Sequence, residues 1–209
     1  MPTRKRLAKR DVERAIVRSL EGKSLLTDYA KSALGMADMF TRHLICNLAD
    51  KRTYLEVGTL LGATAIAASC SAEYVTAIDD FRYWDKVPEE DDEMNPLWGS
   101  MDVRGMSMRD AWAKQTEGIS NIELISFAVE ECCFGVRDPV DVVYFDGDHS
   151  AKGTAEGLRI VQKELRPSVL VVDDYFGDTI KQGVEDAGLL VDRSWFLQVR
   201  NGIFIATME

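Results

Sequence analysis

The chain has 209 residues, 46% of them hydrophobic, and four cysteines. That length suits one domain with a core that needs no staples, and the apolar fraction excludes a disordered chain. The formal net charge of −10 argues against a surface dominated by nucleic-acid contacts, so a nucleic-acid partner is not expected.

Residues 1–23 combine Arg4, Lys5, Arg6, Lys9, Arg10, Arg14 and Arg18 with Val12, Ile16 and Leu20 at helical spacing. This predicts an amphipathic helix with a basic face that is solvated or meets another subunit, leaving open a homo-oligomer through the N-terminal helices, with RNA or phosphate binding as the alternative. The charged start lacks the apolar run of a signal peptide, and no stretch approaches a membrane span. A second helix is predicted from Ser24 to Leu48, mostly core-facing, with Tyr29 or Met36 as candidates to line a substrate mouth. His43 on this helix reads as a packing or surface residue. The cysteines Cys46, Cys70, Cys132 and Cys133 form no CxxC pair, and a bridge between adjacent residues would be strained. A reduced, cytoplasmic protein is the expectation.

The stretch Tyr54-Leu55-Glu56-Val57-Gly58-Thr59-Leu60-Leu61-Gly62-Ala63-Thr64 reads as a buried strand, a glycine turn and a helix start. Gly58 and Gly62 would let backbone approach a ligand, and the helix start offers unpaired N–H groups. Glu56 would repel a pyrophosphate but suits a ligand with a positive group, such as a nucleoside that carries an amino acid. The strand Glu73–Asp80 follows and ends in Asp79, about 20 residues beyond the turn, where an acid commonly holds ribose hydroxyls. The plainer alternative for such a strand-end aspartate is a cap. From 81 to 104 the pattern breaks into an acidic, aromatic, proline-containing insertion, read as a lid with Trp84 and Trp98 folding over a ligand.

A helix over 105–117 and a third strand over 121–125 lead to Phe127, Ala128 and Val129, where an adenine ring could lie; Phe127 reads equally well as core. The strand Asp141–Phe145 then emits Asp146-Gly147-Asp148-His149-Ser150. After a helix over Ala151–Leu165, the strand Val169–Val172 emits Asp173-Asp174. Converging carboxylates repel one another unless a cation lies between them. All-oxygen ligands suit Mg2+, with Mn2+ or Ca2+ open, and disfavour zinc. His149 beside these acids is a candidate general base. A helix near 178–187 precedes two strands flanking Arg200-Asn201-Gly202, a hairpin signal. No internal repeat or linker appears, so 1–209 is one domain, with 1–50 as a helical cap.

The glycine string from Leu55 to Gly62, the strand-end Asp79, the Phe145–Ser150 string, Val172-Asp173-Asp174 and the terminal hairpin occur in an order that resembles class I S-adenosylmethionine-dependent methyltransferases. More narrowly, they resemble the metal-dependent O-methyltransferases of the catechol and macrocin types. The resemblance implies an α/β Rossmann-like fold: a seven-stranded, mostly parallel sheet with an antiparallel last strand and helices on both faces. It implies that Glu56 lies near the methionine ammonium, with Gly58, Thr59, Gly62 and Thr64 around the methionine part. Asp79 would hold the ribose, and Ala128 and Val129 the adenine. Asp146, also placed beside the donor, would join Asp173 and Asp174 as metal ligands. His149 falls where some sugar O-methyltransferases carry their base, whereas the lysine of the catechol enzymes has no counterpart between Gly147 and Ala151. The implied reaction is methylation of a small-molecule hydroxyl with Mg2+ or another divalent cation. The alternatives are a metal-independent methyltransferase of the same fold and a nonenzymatic S-adenosylmethionine-binding protein. A nicotinamide dehydrogenase is disfavoured by Glu56 and by Gly-x-x-x-Gly in place of Gly-x-Gly-x-x-Gly.

Overall fold

The computed structural model describes residues 7–82, 86–87, 103–129 and 140–209. Most of the 81–104 insertion, with Trp84 and Trp98, lies outside the described residues, as do Cys132 and Cys133.

The elements run in the order α1 (Lys9–Leu20), α2 (Asp28–Ser32), α3 (Met39–Leu48), β1 (Thr53–Val57), α4 (Ala63–Ser69), β2 (Tyr74–Ile78), α5 (Met108–Gln115) and β3 (Ile122–Ile125). There follow β4 (Val142–Phe145), α6 (Ala151–Ile160), β5 (Val169–Val172), α7 (Asp178–Ala187), β6 (Val191–Leu197) and β7 (Ile203–Met208). The strands form one seven-stranded sheet in the order β3-β2-β1-β4-β5-β7-β6. Pairings from β3 through β5 are parallel, and β7 runs antiparallel to both β5 and β6.

The central strands are apolar on both faces because both faces are covered. On one side Tyr54, Val75, Tyr144 and Val171 pack against Val12, Ile16, Leu44, Leu48, Ala65 and Ala68 of α1, α3 and α4. On the other, Leu55, Val143, Phe145, Leu170 and Val172 meet Leu158 of α6 and Ile180 and Val184 of α7. Each such fully enclosed aliphatic side chain contributes about 1.5–3 kcal/mol. The alternation along β1 places Glu56 on the same face as Tyr54, in the core.

The single helix expected over 24–48 is two. Thr27 caps α2 through Ala30 N–H, and Asp38 caps α3 through Thr41 N–H at 2.7 Å. Between them Gly35 adopts a φ of 142° and packs so closely on Ala63 that a Cβ there would lie 2.6 Å from that residue's Cβ. The break is held by Arg42, only 3% exposed, whose guanidinium donates to the carbonyls of Ala37, Ala30 and Lys31, each at 3.0 Å. His43 is buried and bonds to Ser24 at 2.7 Å, a packing role. The helix expected over 151–165 ends in a π-helical turn at Val161–Leu165, closed by Arg166 at a left-handed φ of 47°. No helix among the described residues is long and apolar enough to cross a membrane.

Candidate active site

The carboxyl ends of β1, β2, β4 and β5 open onto a cavity of about 530 Å³. In an open parallel sheet ligands bind beyond this edge, at the point where the connections from adjacent strands leave to opposite faces of the sheet.

Gly58 makes the first wall possible. Its φ is 81°, and a Cβ would lie 1.9 Å from the Asp146 carbonyl oxygen. Only glycine lets the exit of β1 lie against the exit of β4, which is tied there by Asp146 N–H to the Val57 carbonyl at 2.8 Å. Thr59 and Thr64 line the cavity, whereas Gly62, at the amino end of α4, and Glu56 stand behind its wall. Trp112 braces the turn by donating its indole N–H to Thr59 Oγ1 at 3.3 Å.

Glu56 is fully buried. Its Oε2 accepts the Tyr54 hydroxyl at 2.7 Å, and its Oε1 has no hydrogen-bond partner among the described residues. Burial pushes its pKa up to about 7; the nearby hydroxyls of Thr64, Tyr54 and Thr59 offset part of that effect, and Asp79 adds to it.

Asp79 lies on the cavity wall and also binds the loop. Its two oxygens accept Leu60 N–H at 2.8 Å and Phe81 N–H at 2.7 Å. Asp79 thus shapes the turn and also faces the cavity. Burial raises its carboxyl above the ordinary range despite these N–H donors. Beyond β3, Ala128 and Val129 line the cavity together with Phe127, which is 59% exposed and so is no core residue. Met36 is at the mouth. Tyr29 turns elsewhere, its hydroxyl donating to the Gln115 carbonyl.

The parallel pairing of β4 with β5 brings the second group of acids together. His149 Nε2 lies 3.1 Å from Asp146 Oδ1, and its Nδ1 lies 3.8 Å from Asp174 Oδ2. Asp146, His149 and Asp174 can each offer one ligand atom with all three atoms within 4.8 Å of one another. Asp173 lines the same cavity but turns to Tyr144, whose buried hydroxyl donates to it, and it also accepts Asp174 N–H at 3.0 Å. Asp174 takes a left-handed φ of 52° and accepts from the Asn201 amide at 2.8 Å.

Burial, then the neighbouring carboxylates Asp173 and Asp174, raise Asp146 above the usual carboxylate range, with His149 opposing. Asp173 is raised by burial and by Asp174, opposed by the Tyr144 hydroxyl and by the Arg200 charge. The hydrogen bond to Asp146 raises His149. The site is thus a cavity with a buried acid beneath one end and a cluster of strained negative charge at the other.

Four contributors had no clear signal in the chain. Tyr54 and Tyr144 lie within apolar strands, and only the sheet shows that their hydroxyls fall on Glu56 and Asp173. Arg42 lies inside the span 24–48, whose apolar spacing carries no sign of its carbonyl contacts. Asn201 read as half of an Asn-Gly turn, and nothing local indicated that this turn folds back onto Asp174.

Residues 55–175, more than half of the chain, match a family model described as "Methyltransferase domain". No curated protein matches the chain in sequence. Among solved structures, the chain is similar to a precorrin-6y C5,15-methyltransferase from Geobacter metallireducens, at 16% identity and a TM-score of 0.58 over 90% of this chain and 100% of that one. It is also similar to an SAH-bound methyltransferase of Podospora anserina, at 12% identity and a TM-score of 0.57 over 100% of both chains. A putative caffeoyl-CoA O-methyltransferase from Staphylococcus aureus aligns at 16% identity and a TM-score of 0.56 over 97% of this chain and 100% of that one. At these identities the structural likeness speaks for the fold. The family match covers the glycine turn and both groups of acids, and with it the chain belongs to the class I S-adenosylmethionine-dependent methyltransferases.

Proposed function

We propose that the protein methylates a hydroxyl group of a small molecule, such as a sugar, polyketide or phenolic, with assistance from a divalent cation. The observation that carries this reading is the convergence of Asp146, His149 and Asp174 within 4.8 Å, in a cavity also lined by the glycine turn. Asp146 and Asp174 offer the hard oxygens that Mg2+ takes, and their partial exposure leaves room for water in the coordination shell. The raised Asp146 and Asp173 carboxyls mark an excess of negative charge that a cation would offset. The donor set therefore fits such an ion, with Asp146 and Asp174 holding it and Asp173 adding charge from behind. When bound, the cation would supply the field that makes an acceptor hydroxyl more acidic.

The remaining work belongs to the chain. In this reading the unpartnered Glu56 oxygen meets the methionine ammonium, and Thr59 and Thr64 surround the methionine part. Asp79 meets the ribose, and Ala128 and Val129 approach the adenine. His149 Nδ1 takes the acceptor's proton while Nε2–H donates to Asp146, a hydrogen bond that steadies the resulting imidazolium. The acceptor oxygen bonds to the methyl carbon as the carbon–sulfur bond breaks, leaving S-adenosylhomocysteine. The donor is already activated, so alignment and exclusion of water make up the protein's contribution.

The test is transfer of labelled methyl from S-adenosylmethionine to phenolic and sugar alcohols, with Mg2+ and after chelation. The expected product is a methyl ether whose formation falls at least tenfold on chelation and in Asp174→Asn. Methyl recovered on nitrogen would sink the hydroxyl reading. Transfer unchanged by chelation, or Mg2+ binding unchanged in calorimetry of Asp146→Asn/Asp174→Asn, would sink the metal.

A further inference from the structure

We propose that Arg200 binds an anionic group, a carboxylate or a phosphate, carried by the methyl acceptor; this rests on reading the Asp146–His149–Asp174 cluster as the place where the acceptor's hydroxyl reacts. A second cavity of about 490 Å³ adjoins the main one on the β5 side. It is lined by Phe176, Ile180 and Thr179, and it shares His149, Asp174 and Arg200 with the main cavity. A molecule with its hydroxyl at His149 thus lies where the two cavities share lining, with Phe176, Ile180 and Arg200 among the residues around the second one.

Arg200 is not loosely placed. The β6–β7 turn that carries it is tied to the segment after β5 by Tyr175 N–H to the Gly202 carbonyl at 3.0 Å and Phe176 N–H to the Asn201 carbonyl at 2.9 Å. The Asn201 amide adds its bond to Asp174. Among the described residues, two arginines line the main cavity, Arg82 and Arg200. Arg82 is ion-paired with Asp80, whereas Arg200 forms no ion pair with any carboxylate among the described residues. The sheet order sets the distance: β5 lies beside β4, and β7 beside β5. At the usual strand spacing the turn stands about 10 Å across the sheet from Asp146. The acceptor implied has a hydroxyl at one end, an apolar or ring-shaped middle resting on Phe176, and anionic oxygens at the other end, where a guanidinium binds them in a fork.

The competing role for Arg200 is to screen Asp173, whose carboxyl its charge lowers. Matched pairs of acceptors separate the two. Calorimetry and methyl-transfer assays on the S-adenosylhomocysteine- and S-adenosylmethionine-loaded protein, respectively, would compare para-hydroxyphenylacetate with tyrosol, and pyridoxine phosphate with pyridoxine. The first pair probes carboxylate and the second phosphate. Wild type is expected to favour the anionic member of at least one pair about tenfold or more, the worth of one charge-assisted hydrogen bond. Arg200→Ala should bring that ratio to near unity, and Arg200→Lys should retain part of it. Screening alone would instead weaken both members of a pair by the same factor. The inference is overturned if neither anion is preferred, if none binds, or if the ratio survives in Arg200→Ala. Para-aminophenylacetate distinguishes a failure of the underlying reading: methyl transfer to this amine alone would refute O-methylation while leaving the anion preference measurable.

Discussion

Glu56 stands fully enclosed beneath the glycine turn, with the Tyr54 hydroxyl on one oxygen and no hydrogen-bond partner for the other among the described residues. Its pKa rises from 4.5 to about 7 on folding, so the unfolded chain releases this proton first. Folding therefore bears no penalty from Glu56 below about pH 4.5, an increasing one as pH rises toward 7, and the full penalty above. A shift of that size corresponds to roughly 3 kcal/mol. Glu56→Gln is expected to stabilise the ligand-free protein at about pH 8 by up to that amount, with the gain fading toward about pH 4. Urea unfolding at the two pH values checks it, and a difference independent of pH would refute the assignment. The same variant should bind S-adenosylmethionine more weakly, because an ammonium loses its carboxylate. In wild type, donor affinity should fall as pH drops below about 7 and Glu56 takes up its proton.

Elements meet at two places that a single side chain decides. At the exit of β1, Gly58→Ala forces a Cβ to 1.9 Å from the Asp146 carbonyl oxygen and a methyl-bearing residue to a φ of 81°. The exits of β1 and β4 must separate, at an expected cost of at least about 2 kcal/mol together with loss of donor binding; thermal unfolding and calorimetry read the two effects. Arg42 ties the Ala30 and Lys31 carbonyls of α2 to the Ala37 carbonyl of the following loop, whose Gly35, Met36 and Ala37 line the cavity. Arg42→Ala leaves those carbonyls unpaired inside the protein, at an expected cost of about 3 kcal/mol, and raises the KM for S-adenosylmethionine as the wall loosens. An unchanged KM in a folded Arg42→Ala variant would show that the loop does not contact the donor. The apolar spacing through 24–48 continues across this loop, which is why one helix was expected there. Propensity does not register a left-handed glycine or the competing caps of Thr27 and Asp38, and those decide the break.

For the whole molecule, a ligand that binds only the folded chain shifts the unfolding equilibrium by mass action. S-adenosylhomocysteine at about a hundred times its Kd should add about 2.7 kcal/mol, raising Tm by roughly 5–10 °C for a chain of this size, and NAD should leave Tm unchanged. Stabilisation by NAD in place of S-adenosylhomocysteine would refute the donor assignment. The fold class was legible in the chain because strand, glycine turn and helix alternate in register with hydrophobic periodicity, and local chemistry governs each of those signals. The acids after β4 and β5 were legible for the same reason: each ends its own strand, and a parallel sheet aligns such ends along one edge. Which of them meet is another matter. Tyr144 draws Asp173 toward itself, His149 bridges Asp146 and Asp174, and the β6–β7 turn returns to place Asn201 on Asp174 with Arg200 beside the pocket. Apart from the local His149–Asp146 pair, these contacts join residues 25 to 29 positions apart that follow different strands. The sequence by itself determined the strand ends and the chemistry each one carries, because these follow from neighbouring residues. Only the tertiary structure decided the partners, because they depend on strand order and on the space left by packing.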